Sequence, residues 1–188
     1  MNIKPLRDID PHDVIGLFAF SGASTADKGT FVDMATFFPS NYQGWGVEDV
    51  GYAPDGTWSK RYNVKARVVN AVSGSQKCIG MLLYDVREND ENGIPLRFTN
   101  KDTKAARCVV ESGEAVPILK RGLVSISGFL GTPGPGSGAV LSAANDGSLV
   151  VLHPTAIVTT GATPMSKVGK FVSSTGADGY ALLDVNVI

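Results

Sequence analysis

A chain of 188 residues, 43% of them hydrophobic, is long enough for one domain with a sizeable core and too apolar to be disordered. Its 17 basic and 18 acidic residues leave a formal net charge of −1, so no bulk basic field exists for a phosphate backbone and nucleic acid is not an expected partner. No apolar run approaches the ~18 residues of a membrane-crossing helix, and no apolar stretch follows the charges of residues 1–8 as in a signal peptide, so no membrane partner is expected either.

Residues 1–13 are polar and interrupted by Pro5 and Pro11. They predict an extended arm rather than a helix. Residues 14–188 then predict a single β domain. Val14–Phe20 reads as its first strand and ends in the turn-rich stretch 21–29. Thr30–Met34 is the next. Residues 35–60 hold repeated Gly and Pro together with Phe37, Phe38, Tyr42, Trp45, Tyr52 and Trp58. That composition predicts an ordered aromatic loop, because a flexible Gly/Ser linker carries no tryptophans. Its aromatics are candidate interface residues.

Tyr62–Val69 alternates and reads as a strand, and Lys77–Val86 reads as a largely apolar, central one. Residues 87–93 form a charged loop. Asn100–Arg107 has the length and cap of one short helix. Arg107–Glu111, Ala115–Leu119 and Gly122–Gly128 read as three strands, with Pro117 placing the middle one at an edge or a bulge. Residues 132–138 form a stiff loop. Val150–Leu152 and Thr155–Val158 follow. The end is a hairpin whose turn contains Asp178-Gly179 and whose last strand alternates, Leu183, Val185 and Val187 on one face and Leu182, Asp184 and Asn186 on the other. The 22 glycines exceed the usual ~7% and fit many turns between short strands. The expected fold is all-β, a barrel or sandwich of about ten short strands with at most one short helix and an extended N-terminal arm.

The chemistry-bearing motifs are weak. Gly134–Gly138 has its serine in the wrong place for a nucleophile elbow, and no helix follows. Gly161–Lys167 lacks the second glycine of a phosphate loop, and Pro164 removes an amide donor. Asp85–Gly93 is the densest carboxylate cluster, but its spacing departs from a calcium loop and Arg87 sits inside it, so it reads as a solvated loop. His12 and His153 form no set with a nucleophile and read as surface or capping residues. Cys78 and Cys108 share no CxxC spacing and read as small buried hydrophobes with free thiols. The expectation is no enzyme, no cofactor and no metal.

Several stretches resemble the head decoration, or cement, proteins of tailed bacteriophages, above all of cyanophage-like podoviruses. They are Ile3–Asp8 with Asp13–Ala19, Lys28–Val32, Leu83–Gly93, Ser112–Gly128, and Val168–Phe171 with Asp178–Leu182. The resemblance implies a virion protein made in the host cytoplasm and bound to the outside of an assembled capsid, with the major capsid protein and its own homotrimer as partners. Under that reading Ile3, Pro5, Leu6, Arg7, Asp8 and Ile9 are the candidate partner-binding residues. Ile3, Leu6 and Ile9 recur every third position and would face one groove, with Arg7 and Asp8 at its rim. Another virion component, such as a tail protein or fibre base, and a carbohydrate-binding module using Trp45, Tyr52 and Trp58 are the alternatives.

Overall fold

The computed structural model describes residues 2–5, 10–20, 25–34, 48–50, 62–64, 66–72, 78–111, 114–142, 146–152 and 167–187. The fold is all-β with one short helix among these residues, as the sequence predicts. It combines a barrel and a sheet. The closed barrel runs in the order β10 (Ala115–Leu119), β2 (Val14–Phe20), β6 (Ala66–Asn70), β3 (Phe31–Met34) and β7 (Cys78–Leu82). The six-stranded sheet runs β1 (Asn2–Pro5), β11 (Arg121–Ser127), β15 (Ala181–Asn186), β14 (Lys167–Phe171), β12 (Gly138–Leu141) and β13 (Leu149–Leu152). Two smaller pairs complete it, β4 (Glu48–Val50) with β5 (Tyr62–Val64), and β8 (Asp85–Arg87) with β9 (Val109–Glu111). The helix α1 spans Lys101–Ala106, with Asn100 in the cap position but making no side-chain capping bond.

Two hydrophobic cores share the barrel strands. Val32, Val68, Leu82, Val116 and Ile118 fill one. Phe31, Met81 and Leu119, each the sequence neighbour of one of those residues, join the other with Val124, Ile126, Leu141, Phe171, Leu183 and Val185 of the sheet. Successive strand residues point to opposite faces. Strands β3, β7 and β10 are therefore buried on both sides; β7 and β10 read as largely apolar runs, while β3 carries the buried Asp33. Gly80 permits the closest approach: a Cβ there would overlap Leu119 O on β10. The final hairpin follows the predicted alternation, with Ala181, Leu183, Val185 and Val187 buried and Asp184 and Asn186 exposed. Its turn uses Gly179 at φ +78°.

Four expectations need correction. Residues 2–5 are extended, as expected, but do not stand apart from the domain: β1 pairs antiparallel with β11, Ile3 opposite Ile126 and Pro5 opposite Val124, and Ile3 is 5% exposed in the second core. Lys77–Val86 is not one strand. Leu83 N donates to Pro117 O and Asp85 N to Cys108 O, and these bonds bend the chain between β7 and β8. Of the two places expected for Pro117, an edge or a bulge, the structure has the bulge, since β10 has neighbours on both sides. It sits at a bulge, where the register against β2 shifts between Val116 and Ile118, so its missing N–H interrupts no regular ladder. The stretch 35–60 is not all loop, because β4 lies within it. Strands β1, β4 and β12, together with the divisions between β5 and β6 and between β7 and β8, raise the strand count above about ten, to fifteen among the described residues.

Candidate functional site

A polar concavity lies where the sheet meets the barrel. The turn between β12 and β13 reaches over β3: Phe31 N donates to Gly147 O at 3.0 Å and Gly147 N to Ala71 O at 3.2 Å. Gly147 has φ +75°, and a Cβ would overlap Phe31 O and Thr30 Cγ2, so the turn depends on glycine. Beside it opens a cleft of about 280 Å³ lined by Asp27, Thr30, Asn70, Arg87, Asp146 and Ser148, among others.

The charges in this cleft are committed to the frame. Arg87 Nη1 donates to Ala26 O and Val86 O, both at 3.2 Å, while Nη2 pairs with Asp27 Oδ1. Asp85 Oδ1, 4.0 Å from that guanidinium, accepts Lys28 N at 2.7 Å. Asp146 Oδ1 accepts Ser148 N at 2.9 Å, and the Ser148 side chain, hydrogen-bonded to the carboxylate, holds Asp146 below the usual carboxylate range. Asn70 Oδ1 is enclosed without a hydrogen-bond partner. The arrangement is a clasp that ties the β2–β3 connection to β8 and the β12–β13 turn to β3.

A second polar cluster lies under α1. Lys104, 4% exposed, donates from Nζ to Glu114 Oε1 at 2.7 Å, with Glu111 Oε2 at 3.8 Å. Glu114 Oε2 in turn accepts Glu111 N at 2.7 Å. A buried ion pair of this kind costs stability if either partner is removed, and here it fastens the short helix to the turn between β9 and β10.

The other sequence candidates fall as follows. Ile3 lies in the core and Pro5 on β1, while Leu6, Arg7, Asp8 and Ile9 lie outside the described residues, as do Phe37, Phe38, Tyr42, Trp45, Tyr52, Trp58, His153 and Thr155–Val158. His12 is exposed and its Nδ1 lies 2.9 Å from Asp10 Oδ1. The hydrogen bond from His12 N to that carboxylate, more than the one from the ring, lowers the Asp10 pKa. In the charged loop Asp90 Oδ1 accepts Asn92 N at 2.9 Å and Ile94 N at 2.8 Å, so this carboxylate shapes the turn. Among the described residues no three His, Cys, Asp or Glu side chains gather to hold a metal. Cys78 and Cys108 are both free. Burial, and then the nearby Asp33 charge, push the Cys78 thiol up to about 12.

Sequence reasoning missed the clasp and the Lys104 cluster. Asp27, Asn70, Arg87 and Asp146 come from four separate segments, each looking like an ordinary turn or strand-end residue. Lys104 looks like a solvated helix lysine, and only the tertiary placement of Glu111 and Glu114 buries it. No protein-family model matches the chain, and no curated protein matches it.

Proposed function

We propose that the chain is a structural virion protein that decorates the outside of a tailed-phage capsid, bridging major capsid protein subunits as a homotrimer. The observation that carries this reading is where the resembling stretches fall. They supply most of β1 and β2, the start of β3, the bend into β8 and the loop after it, β10 and β11, and in the last hairpin β14 with the start of β15. The likeness thus follows the framework of both barrel and sheet rather than one peripheral loop.

The energetics fit a protein that acts by holding. The β12–β13 turn hydrogen-bonds onto β3, Arg87 ties β8 to the segment before β3, and a buried ion pair fastens the one helix. Such cross-links oppose shear between barrel and sheet. The arm has a smaller part than the sequence implied, because Ile3 is spent on the protein's own core. Any grip by the N-terminal segment therefore falls to residues 6–9.

Cryo-electron microscopy of the virion that encodes the chain tests the reading. The expected result is density for the β body on the outer shell, contacting more than one capsid subunit, and earlier genome release on heating when the protein is stripped off. Density confined to the tail or a fibre base overturns it.

A further inference from the structure

Four places in the chain put asparagine or aspartate directly before glycine: Asp55-Gly56, Asn92-Gly93, Asp146-Gly147 and Asp178-Gly179. Glycine has no side chain to hinder attack by its own amide nitrogen on the side-chain carbonyl before it, so such pairs cyclise to imides readily. The first pair lies outside the described residues. Of the four, Asn92 alone carries a neutral amide, which can leave as ammonia. An ionised carboxylate is a poor target for a nucleophile. Asn92 and Gly93 are both exposed, so water reaches them.

The fold holds this pair in an unreactive shape. Asp90 N donates to Ile94 O at 2.8 Å and Gly93 N to Asp90 O at 3.0 Å, with Gly93 at φ +78°. This is a three-residue hairpin loop with a left-handed glycine. Asp90 Oδ1 also accepts Asn92 N at 2.9 Å and Ile94 N at 2.8 Å. Asp90 thus fastens the peptide groups on both sides of Asn92, one through its carbonyl and one through its side chain. Its Oδ2 lies 3.8 Å from Arg107 Nη1, the Asn89–Pro95 bridge closes the loop behind it, and the buried Leu96 roots it in the body. Imide closure needs the opposite: a Gly93 nitrogen released from its acceptor, and a peptide plane rotated until that nitrogen meets Asn92 Cγ. The other described pairs share the restraint, Gly147 N donating to Ala71 O at 3.2 Å and Gly179 N to Gly176 O at 3.0 Å.

We propose that Asn92 is a deamidation site gated by its own turn, closed while the loop is intact and reactive whenever residues 90–94 come apart. In the open loop Gly93 N bonds to Asn92 Cγ, its proton passes through solvent to Nδ2, the Cγ–Nδ2 bond breaks and ammonia leaves. Water then adds to one of the two imide carbonyls, and the ring opens to aspartate or to isoaspartate, whose backbone runs through the side chain. Isoaspartate lengthens the backbone inside the turn and shifts Gly93 and Ile94 out of register with Asp90. Because ammonia is lost the change is one-way, and its extent records how often the loop has opened. The inference is independent of capsid binding.

Peptide mapping by mass spectrometry of the full chain, aged in mildly alkaline buffer with and without urea, tests it. Native Asn92 is expected to deamidate at least about tenfold more slowly than in the urea-unfolded chain, the ratio being set by the population of the open loop. Asp90→Ala should speed the native reaction about fivefold or more, as the loss of one or two hydrogen bonds predicts, and leave the rate in urea unchanged. Ile3→Ala, which weakens the distant core, should leave the native rate at its wild-type value, because a local opening does not require global unfolding. No reaction in urea overturns the site, and equal native and unfolded rates overturn the gate. A native rate raised by Ile3→Ala makes global unfolding the gate and overturns the turn's part in it. A folded Asp90→Ala chain reacting at the wild-type rate does the same; if that variant fails to fold, wild type against Ile3→Ala still decides.

Discussion

Replacing Ile3 by Ala tests whether the first strand is part of the body. Ile3 is 5% exposed and sits opposite Ile126 in the core shared by barrel and sheet. The change removes three carbons. At ~0.8 kcal/mol per buried methylene the transfer loss is about 2.4 kcal/mol. A cavity adds to this, within the range of ~2–5 kcal/mol seen for such truncations. Because β1 is at the sheet edge its backbone can close part of the gap, which places the expected loss near ~3 kcal/mol. For a chain of this length each kcal/mol moves Tm by ~2–4 °C, so the melt should fall by ~6–12 °C. Lys4 is the control on the same strand. It is exposed, and its Nζ lies 4.1 Å from the centre of the Tyr180 ring. Lys4→Ala loses a surface cation–π contact of ~0.5–1 kcal/mol and should lower Tm by only ~1–4 °C. Differential scanning calorimetry reads both. A melt of Ile3→Ala within ~2 °C of wild type would refute the argument that Ile3 is part of the core.

Lys104→Met should cost about 3–5 kcal/mol by stranding the Glu114 carboxylate, and adding Glu114→Gln should recover part of that; a double variant less stable than the single one in urea contradicts the buried-pair account. Gly147→Ala should lose about 2–5 kcal/mol from left-handed strain and overlap with Phe31 O, and a denaturation midpoint equal to wild type would be inconsistent with the clasp. Cys78, its thiol raised to about 12 from 9.0, should alkylate at pH 8 about a thousandfold more slowly in the folded protein than after unfolding, followed by mass spectrometry of the labelled peptide. The folded state holds that proton more tightly, so the Cys78 contribution to stability is full below pH 9 and declines as pH rises toward 12; Cys78→Ala should flatten that part of the pH–stability curve, and an unchanged slope would discount it.

What was legible in the sequence depends on how many faces of a strand are buried. The last strand has one wet face, so Leu183, Val185 and Val187 beat against Asp184 and Asn186, and its register is plain. Strands β3, β7 and β10 are buried on both faces. Their largely apolar sequences, with Asp33 the one charge in β3, announce strands but hide which residue serves which core. Strand β1 spans four residues, with Ile3 buried and Lys4 exposed, too short a pattern for a period of two to show. The break between β7 and β8 carries no Gly or Pro. It is imposed by bonds from Leu83 to Pro117 and from Asp85 to Cys108, which are long-range and leave no local mark.

The same reasoning explains why the surface features escaped a motif search while their ingredients did not. Of Asp85–Gly93, read as a solvated charged loop, only residues 88–93 are surface loop, with the Asp90 carboxylate on two backbone amides, while Asp85–Arg87 is strand β8 with Val86 buried. What the composition does not convey is rigidity. A loop rich in Asp, Asn and Gly looks mobile, yet Asp90 holds two amides at once and the Asn89–Pro95 bridge closes the ring behind it. Rigidity changes the meaning of Ile94 and Phe98. On a mobile loop an exposed phenylalanine can fold back onto the body. On a locked one its exposure is sustained. Lys167 and Lys170 show the converse. Three apart, they would fall on opposite faces of a regular strand, and both reach one wet face because the register of β14 against β12 shifts between Ala139 and Val140. The neighbouring strand, set by the pairing of Lys170 with Asp184, is what turns that wet face into a groove.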